Sequence, residues 1–264
     1  MRSGLHDRAG ASPLRIAMAP FLRSCQPVLT LGIRPAMGDY SEEELRLLRQ
    51  ADRVFFPSAR FVTLFQAIDK PTFPSAASYL YRRSRLHQQI LLKVLAIPHG
   101  KSRICFGPRQ KERIRDELRL PVEVMAPETL PGRVHLADDW AKALSYAALY
   151  NPVIVREALP VRDCVRLTLV RFRCIGAARG AYAPNGITGL TPLKTDDPSL
   201  VELVSENEKL TLAVGLDDIA IDWGLVDDTW QVLQFTRPPL RIETPGHTLH
   251  RHDYICSLIE AGAV

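Results

Sequence analysis

The stretch DDIAIDWGLVDDTWQVLQFTRPPLRI, running from Asp217 to Ile242, decides the fold. Ile219, Ile221 and Trp223 alternate with small or polar residues, and Trp230, Val232, Leu233 and Phe235 form a second apolar run, so the period-2 pattern predicts two strands. Asp227, Asp228 and Thr229 supply turn chemistry between them. Asp222 falls inside the first strand, and Gln234 and Thr236 fall near the end of the second. Three oxygen-bearing side chains are thereby expected near one end of a hairpin.

Working outward, the helix that precedes the hairpin is read from DPSLVELVSENEKLTLAVG, with Leu200, Leu203, Val204 and Leu210 at helical spacing. AYAPNGITGLTPLKT, from Ala181 to Thr195, reads as a loop by its glycines and prolines. Before it, Val165 to Val170 and Arg173 to Ala178 read as strands, and after the hairpin HDYICSLIEAG predicts a closing helix behind a His-rich turn. In the middle of the chain KSRICF, PVEVMAP and GRVHLADD read as strands, with RQKERIRDELR and DDWAKALSYAAL as helices. The first third alternates strand and helix. VLTLGI and RVFFP are each followed by a helical pattern, the first opened by a capping box of Ser41 and Glu44 and the second capped by Ser58. These βα units argue for a small parallel sheet, and no glycine fingerprint for a dinucleotide follows either strand.

The composition, 46% hydrophobic and 24% charged over 264 residues, describes a globular chain, and no apolar run approaches the ~20 residues that span a bilayer. Neither a membrane nor nucleic acid is an expected partner: the net charge of +5 is diffuse, and RQKERIRDELR mixes Glu112, Asp116 and Glu117 among its bases as a solvated helix does. Cys25, Cys105, Cys164, Cys174 and Cys256 are scattered, without a C-x-x-C pair, and fit a reducing cytoplasm. His247, His250 and His252 lack the spacing of a zinc site. Residues 1–17 read as a disordered tail, with Met18 as an alternative start.

The hairpin resembles the metal-binding hairpin of the ATP-grasp superfamily, in particular RimK-like and glutathione synthetase-like members. There the first strand carries an aspartate, and the second ends in E-x-N-x-x-P; here those places read Asp222, Gln234 and Thr236. The order of elements resembles the family along the rest of the chain. The resemblance implies an α+β (mixed α/β) ATP-grasp fold: an N-terminal α/β unit over 18–98, a small nucleotide-covering subdomain over 99–152 and a large subdomain over 153–264. Arg85 stands where many members have a lysine at the start of the helix RSRLHQQILLKVLAI. Met125 stands where the phosphate-binding lysine of the second strand is expected, and PETLPGRV, with its single Gly132 and with Pro131, replaces the glycine-rich cover. The hinge, usually Q-E-Y, reads Arg156, Glu157 and Ala158. In the D-x-R-V strand Cys164 aligns with the aspartate, Asp163 is next door, and Arg166 keeps the arginine.

What the resemblance implies is ATP-dependent carboxylate–amine ligation through an acyl phosphate. Arg166 is then the catalytic contact, Arg85, Met125, Glu157 and Asp163 line the nucleotide, and Asp222, Gln234 and Thr236 hold Mg²⁺. The departures at Met125 and Gln234 each remove a charge-assisted contact of about 1.5–3 kcal/mol, weakening ATP binding by roughly 10² to 10⁴. The expectation is therefore a divergent or non-catalytic homologue with weakened nucleotide and Mg²⁺ binding, and the alternative is an active RimK-like ligase. The partners that fit are a peptide, a small-molecule carboxylate, a partner protein or a second copy of the chain.

Overall fold

The computed structural model describes residues 14–264, and the chain divides into two compact units. The first comprises residues up to Ala76 together with Cys256–Val264, and the second Ala77–Ile255.

The first unit is a parallel sheet of order β2-β1-β3-β4, built from β1 (Arg15–Ala17), β2 (Val28–Thr30), β3 (Arg53–Phe55) and β4 (Thr72–Phe73). Helix α1 (Glu42–Gln50) lies between β2 and β3, and α2 (Ala59–Ala67) between β3 and β4, as the βα alternation predicts. Ser41 accepts from the Glu44 amide and Glu44 reciprocates at the Ser41 amide; Ser58 caps α2 through the Phe61 amide. Arg15–Ala17 corrects the reading of residues 1–17 as a tail, because this strand pairs with β2 on one side and β3 on the other; the rest of that segment, to residue 13, lies outside the described residues. Three residues are too few for periodicity to show. Cys25 is joined to Cys256 by a disulfide with Cα atoms 5.5 Å apart, so only Cys105, Cys164 and Cys174 of the five are free thiols. A separation of 231 residues gives a spacing argument nothing to work on.

The second unit opens with α3 (Ala76–Tyr81) and α4 (Arg85–Val94), then builds two sheets. The small sheet, of order β5-β8-β6-β7, comprises β5 (Ser102–Cys105), β6 (Val122–Met125), β7 (Val134–Ala137) and β8 (Val153–Glu157). One face packs Val122, Val124, Val153 and Val155 against Ile114 of α6 (Ile114–Glu117) and Ala143 and Ala147 of α7 (Trp140–Ala148), with α5 (Pro108–Glu112) preceding α6 in the chain. RQKERIRDELR, predicted as one helix, is broken into α5 and α6 at Arg113.

The large sheet has the order β11-β10-β9-β12-β13, with every pair antiparallel. Its strands are β9 (Asp163–Val170), β10 (Arg173–Ala183), β11 (Gly186–Leu193), β12 (Asp218–Val226) and β13 (Thr229–Thr236). Strand β11 overturns the loop expected at Ala181 to Thr195. Pro192 pairs with Ala178 on an edge strand, where proline is tolerated, while Pro184 and Asn185 alone make the turn. Strands β12 and β13 form the predicted hairpin, turning at Asp227 and Asp228 with φ of 46° and 62°, the two left-handed residues of a type I′ turn. One face of this sheet buries Val165, Leu167, Leu169, Ile219, Ile221, Trp223, Val232 and Phe235, against which Leu203 of α8 (Val201–Val214) and Leu92 of α4 pack. The hairpin β14 (Arg241–Thr244) and β15 (His247–His250) precedes α9 (Arg251–Glu260). Among the described residues no helix is long and apolar enough to cross a membrane.

Candidate functional site

Strand pairing alone brings three of the expected residues together. Asp222 sits opposite Arg166 on β9 and opposite Gln234 on β13, and residues paired across strands share a face. The Asp222 carboxylate is fully buried. Arg166 grips it with both ends of its fork, Nε to Oδ1 at 2.6 Å and Nη2 to Oδ2 at 2.9 Å, and Gln234 Nε2 donates to Oδ2 at 2.8 Å. The hydrogen bonds to Asp222, ahead of the burial that opposes it, raise the Arg166 guanidinium above its ordinary value. Thr236 lies two rungs along, opposite Ala220, and bonds to none of the three; its Oγ1 is buried without a partner.

A second buried cluster lies between the two sheets. Arg156 on β8 is paired with Glu123 on β6, the two residues being 3% and 1% exposed. Arg156 Nε and Nη2 both donate to Glu123 Oε2, at 3.0 and 2.6 Å, Nη1 donates to the Leu233 carbonyl at 2.8 Å, and Nη2 reaches the Tyr182 hydroxyl at 3.1 Å. Tyr182 in turn donates to the other oxygen of Glu123. Burial alone would lower the Arg156 guanidinium, but the Glu123 carboxylate and Tyr182 outweigh it and raise it. Burial is also the main reason that the Tyr182 phenol is pushed up. The close approach of Arg156 needs Gly100, whose added Cβ would stand 2.9 Å from Arg156 Cδ.

Arg85 reaches this region from the first turn of α4, which Ser84 caps. It is 6% exposed and donates to the Glu128 carbonyl, and burial, reinforced by the nearby Arg156 charge, pushes its guanidinium down to about 10. Met125 lies on the same side of β6 as Glu123 and packs with Val134 and Ile154. Arg85, Met125, Arg156, Tyr182 and Gln234 together border a void of about 10 Å³, the space of about one water. Gly186, at φ +129°, brings the β10–β11 turn so close that an added Cβ would stand 2.9 Å from Gln234 Nε2.

Two expected site residues do not join this cluster. Glu157 follows Arg156 in the same strand and so points to the opposite face. It accepts from the Arg119 amide at 3.0 Å and stands 3.6 Å from Lys101 Nζ. Asp163, three residues from Arg166, also has opposite parity and pairs with Arg179 at 3.2 Å. Conversely, the expectations gave no site role to Glu123, Tyr182 or Gly186. A lone glutamate in the apolar run VEVM and a lone arginine in VIVRE were the available signal for Glu123, since a charge inside a buried strand requires a partner.

No protein-family model matches the chain, and no curated protein matches it. The structure is similar to solved ones. A RimK-domain ATP-grasp protein from Sphaerobacter thermophilus matches with a TM-score of 0.61 at 18% identity, over 84% of this chain and 90% of that one. N5-carboxyaminoimidazole ribonucleotide synthetase from Thermus thermophilus matches with a TM-score of 0.61 at 13% identity, over 84% of this chain and 63% of that one. The corresponding synthase from Aspergillus clavatus, complexed with ATP, matches with a TM-score of 0.60 at 10% identity, over 83% of this chain and 68% of that one. The chain therefore has the ATP-grasp fold, and it spans about two thirds of the length of the synthetases it resembles.

The residues at the expected metal and nucleotide positions do not fit those groups as they stand. An ionised carboxylate offers about four lone-pair sites, and Arg166 and Gln234 occupy three on Asp222. Gln234 turns its amide nitrogen, a donor, toward the carboxylate. A void of about 10 Å³ compares with the roughly 300–1,000 Å³ of ligand pockets.

Proposed function

We propose that this chain is a non-catalytic ATP-grasp protein, a carboxylate–amine ligase scaffold that no longer uses ATP and Mg²⁺ and works by binding a peptide or partner protein. The observation that carries the reading is the bidentate Arg166–Asp222 pair. A guanidinium is held where the resemblance places the metal, so the positive charge a Mg²⁺ ion would bring is already supplied by the chain. Displacing it would leave Arg166 without its carboxylate and strip the fully buried Asp222 of two charge-assisted hydrogen bonds. The Glu123–Arg156–Tyr182 cluster supports the same reading, because its side chains fill the space between the sheets.

The alternative, an active ligase acting through an acyl phosphate on a peptide or small-molecule carboxylate, has two observations in its favour. Thr236 Oγ1 is a buried oxygen with no partner, and Arg85 is a buried cation that donates to the Glu128 carbonyl rather than to a carboxylate. A phosphate-release assay separates the readings: the chain, supplied with Mg-ATP and mixed carboxylate and amine acceptors, is expected to release no phosphate above the rate of the Asp222→Asn variant. Release that depends on an acceptor and is lost in that variant overturns the non-catalytic reading.

A further inference from the structure

The large sheet carries a second cavity on its other face, and no part of the reading above accounts for it. Trp223 and its cross-strand neighbours alternate away from Asp222, so their side chains turn toward α8. There a cavity of about 420 Å³ opens between α8, the segment after α4 and the tip of the β12–β13 hairpin. That volume lies within the range of ligand pockets. Its floor is aromatic and apolar: Trp223, fixed by donating Nε1 to Asn207 Oδ1 at 3.0 Å, with part-buried Trp230 and buried Leu203. Leu95 at its border is 45% exposed.

The charges that border this cavity are all negative. Glu202 and Glu206 stand one turn apart on the exposed side of α8, and Asp228 sits in the hairpin turn. Asp228 has an exposed ion pair with Arg162, whereas among the described residues neither Glu202 nor Glu206 is within 4.0 Å of a basic group. Such a concentration is notable on a chain with a net charge of +5. Two like charges at that spacing repel each other, and a cation between them removes the repulsion.

We infer that this groove binds an arginine side chain presented by an extended segment of a partner protein. A planar guanidinium can stack on the Trp230 indole while its fork of donors reaches Glu202 and Glu206, which a compact ammonium does less well. The flanking residues of the segment cover the apolar border at Leu95, which a free cation would leave in water. The inference is independent of whether the cleft on the opposite face binds nucleotide, and its test contains none.

The test uses the full chain and a peptide library with a fixed central arginine and randomised flanks, compared with the same library carrying citrulline, the neutral isostere. Arginine peptides are expected to be enriched and to perturb tryptophan fluorescence. The best of them should lose roughly tenfold in affinity to the Glu202→Gln/Glu206→Gln variant, as two partly exposed charge contacts suggest. Both substitutions lie on an exposed helix face, and an unchanged circular dichroism melt verifies the fold. Three results overturn the inference: no enrichment of arginine over citrulline, undiminished binding to the double variant, or free arginine amide binding as tightly as the peptides.

Discussion

Replacing Glu123 by Gln keeps the shape of the side chain and removes its charge, leaving Arg156 buried at 3% exposure with no carboxylate. Removing one member of a buried ion pair costs about 3–5 kcal/mol, because the remaining charge loses its compensation while staying out of water. Here the loss falls at the upper end, since the same carboxylate also accepts from Tyr182 and receives two separate bonds from Arg156. Against a typical total of about 5–15 kcal/mol, such a loss is a large fraction. The assay is urea unfolding followed by tryptophan fluorescence, which reports the second unit alone, because Trp140, Trp223 and Trp230 all lie within it. With Tyr182→Phe removing the hydroxyl that bridges the two, the pair substitution Glu123→Leu with Arg156→Met removes both charges and should recover most of the loss, falling short by about 1–3 kcal/mol because the Leu233 carbonyl loses its donor. A loss below 1 kcal/mol for Glu123→Gln, or no recovery in the pair, would refute the account of this cluster as a buried, mutually dependent ion pair.

Three side chains define a restoration experiment: Gln234→Glu combined with Thr236→Asn and Met125→Lys should bring Mg-ATP binding from undetectable into the range that calorimetry reads, each charge-assisted contact being worth about tenfold or more. No gain would count against a degenerate metal site. His252 is held down to about 4, first by burial and then by the adjacent Arg251 charge, from an ordinary 6.5. The unfolded chain thus binds the proton more readily between those values, and stability should fall as pH drops from about 6.5 toward 4, by an amount measured as the difference in urea midpoint between wild type and His252→Gln. A difference that stays flat across that window contradicts the assignment. Alkylation of the denatured, unreduced protein should modify three cysteines, Cys105, Cys164 and Cys174, and five after reduction, as counted by mass spectrometry.

How much of this was legible in the sequence follows from what each signal depends on. The hairpin was legible because its period-2 pattern, its two-residue turn and the convergence of Asp222 with Gln234 are all local. The caps at Ser41 and Ser58 were legible for the same reason. What failed was long-range. Strand β1 has three residues and is defined only by its neighbours 13 and 38 positions on, at Val28 and Arg53. Glycines and prolines disguised β11, whose edge position makes them harmless. Glu157 was assigned to the nucleotide by analogy with a hinge motif, although its parity with Val122 rather than Glu123 places it on the other face. Arg166 was expected as the catalytic contact, and no pattern in the sequence announces that the cross-strand register pairs it with Asp222 itself. Charge partnership is a property of strand register, and register is decided by the whole sheet.

The most direct test of the central claim is calorimetric titration of the unmodified chain with Mg-ATP, with the free nucleotide titrated in parallel. The account predicts no saturable heat up to millimolar nucleotide, in keeping with the void of about 10 Å³ between the sheets and with Arg166 already holding Asp222. Magnesium-dependent binding in the micromolar range, lost on Asp222→Asn, would contradict it.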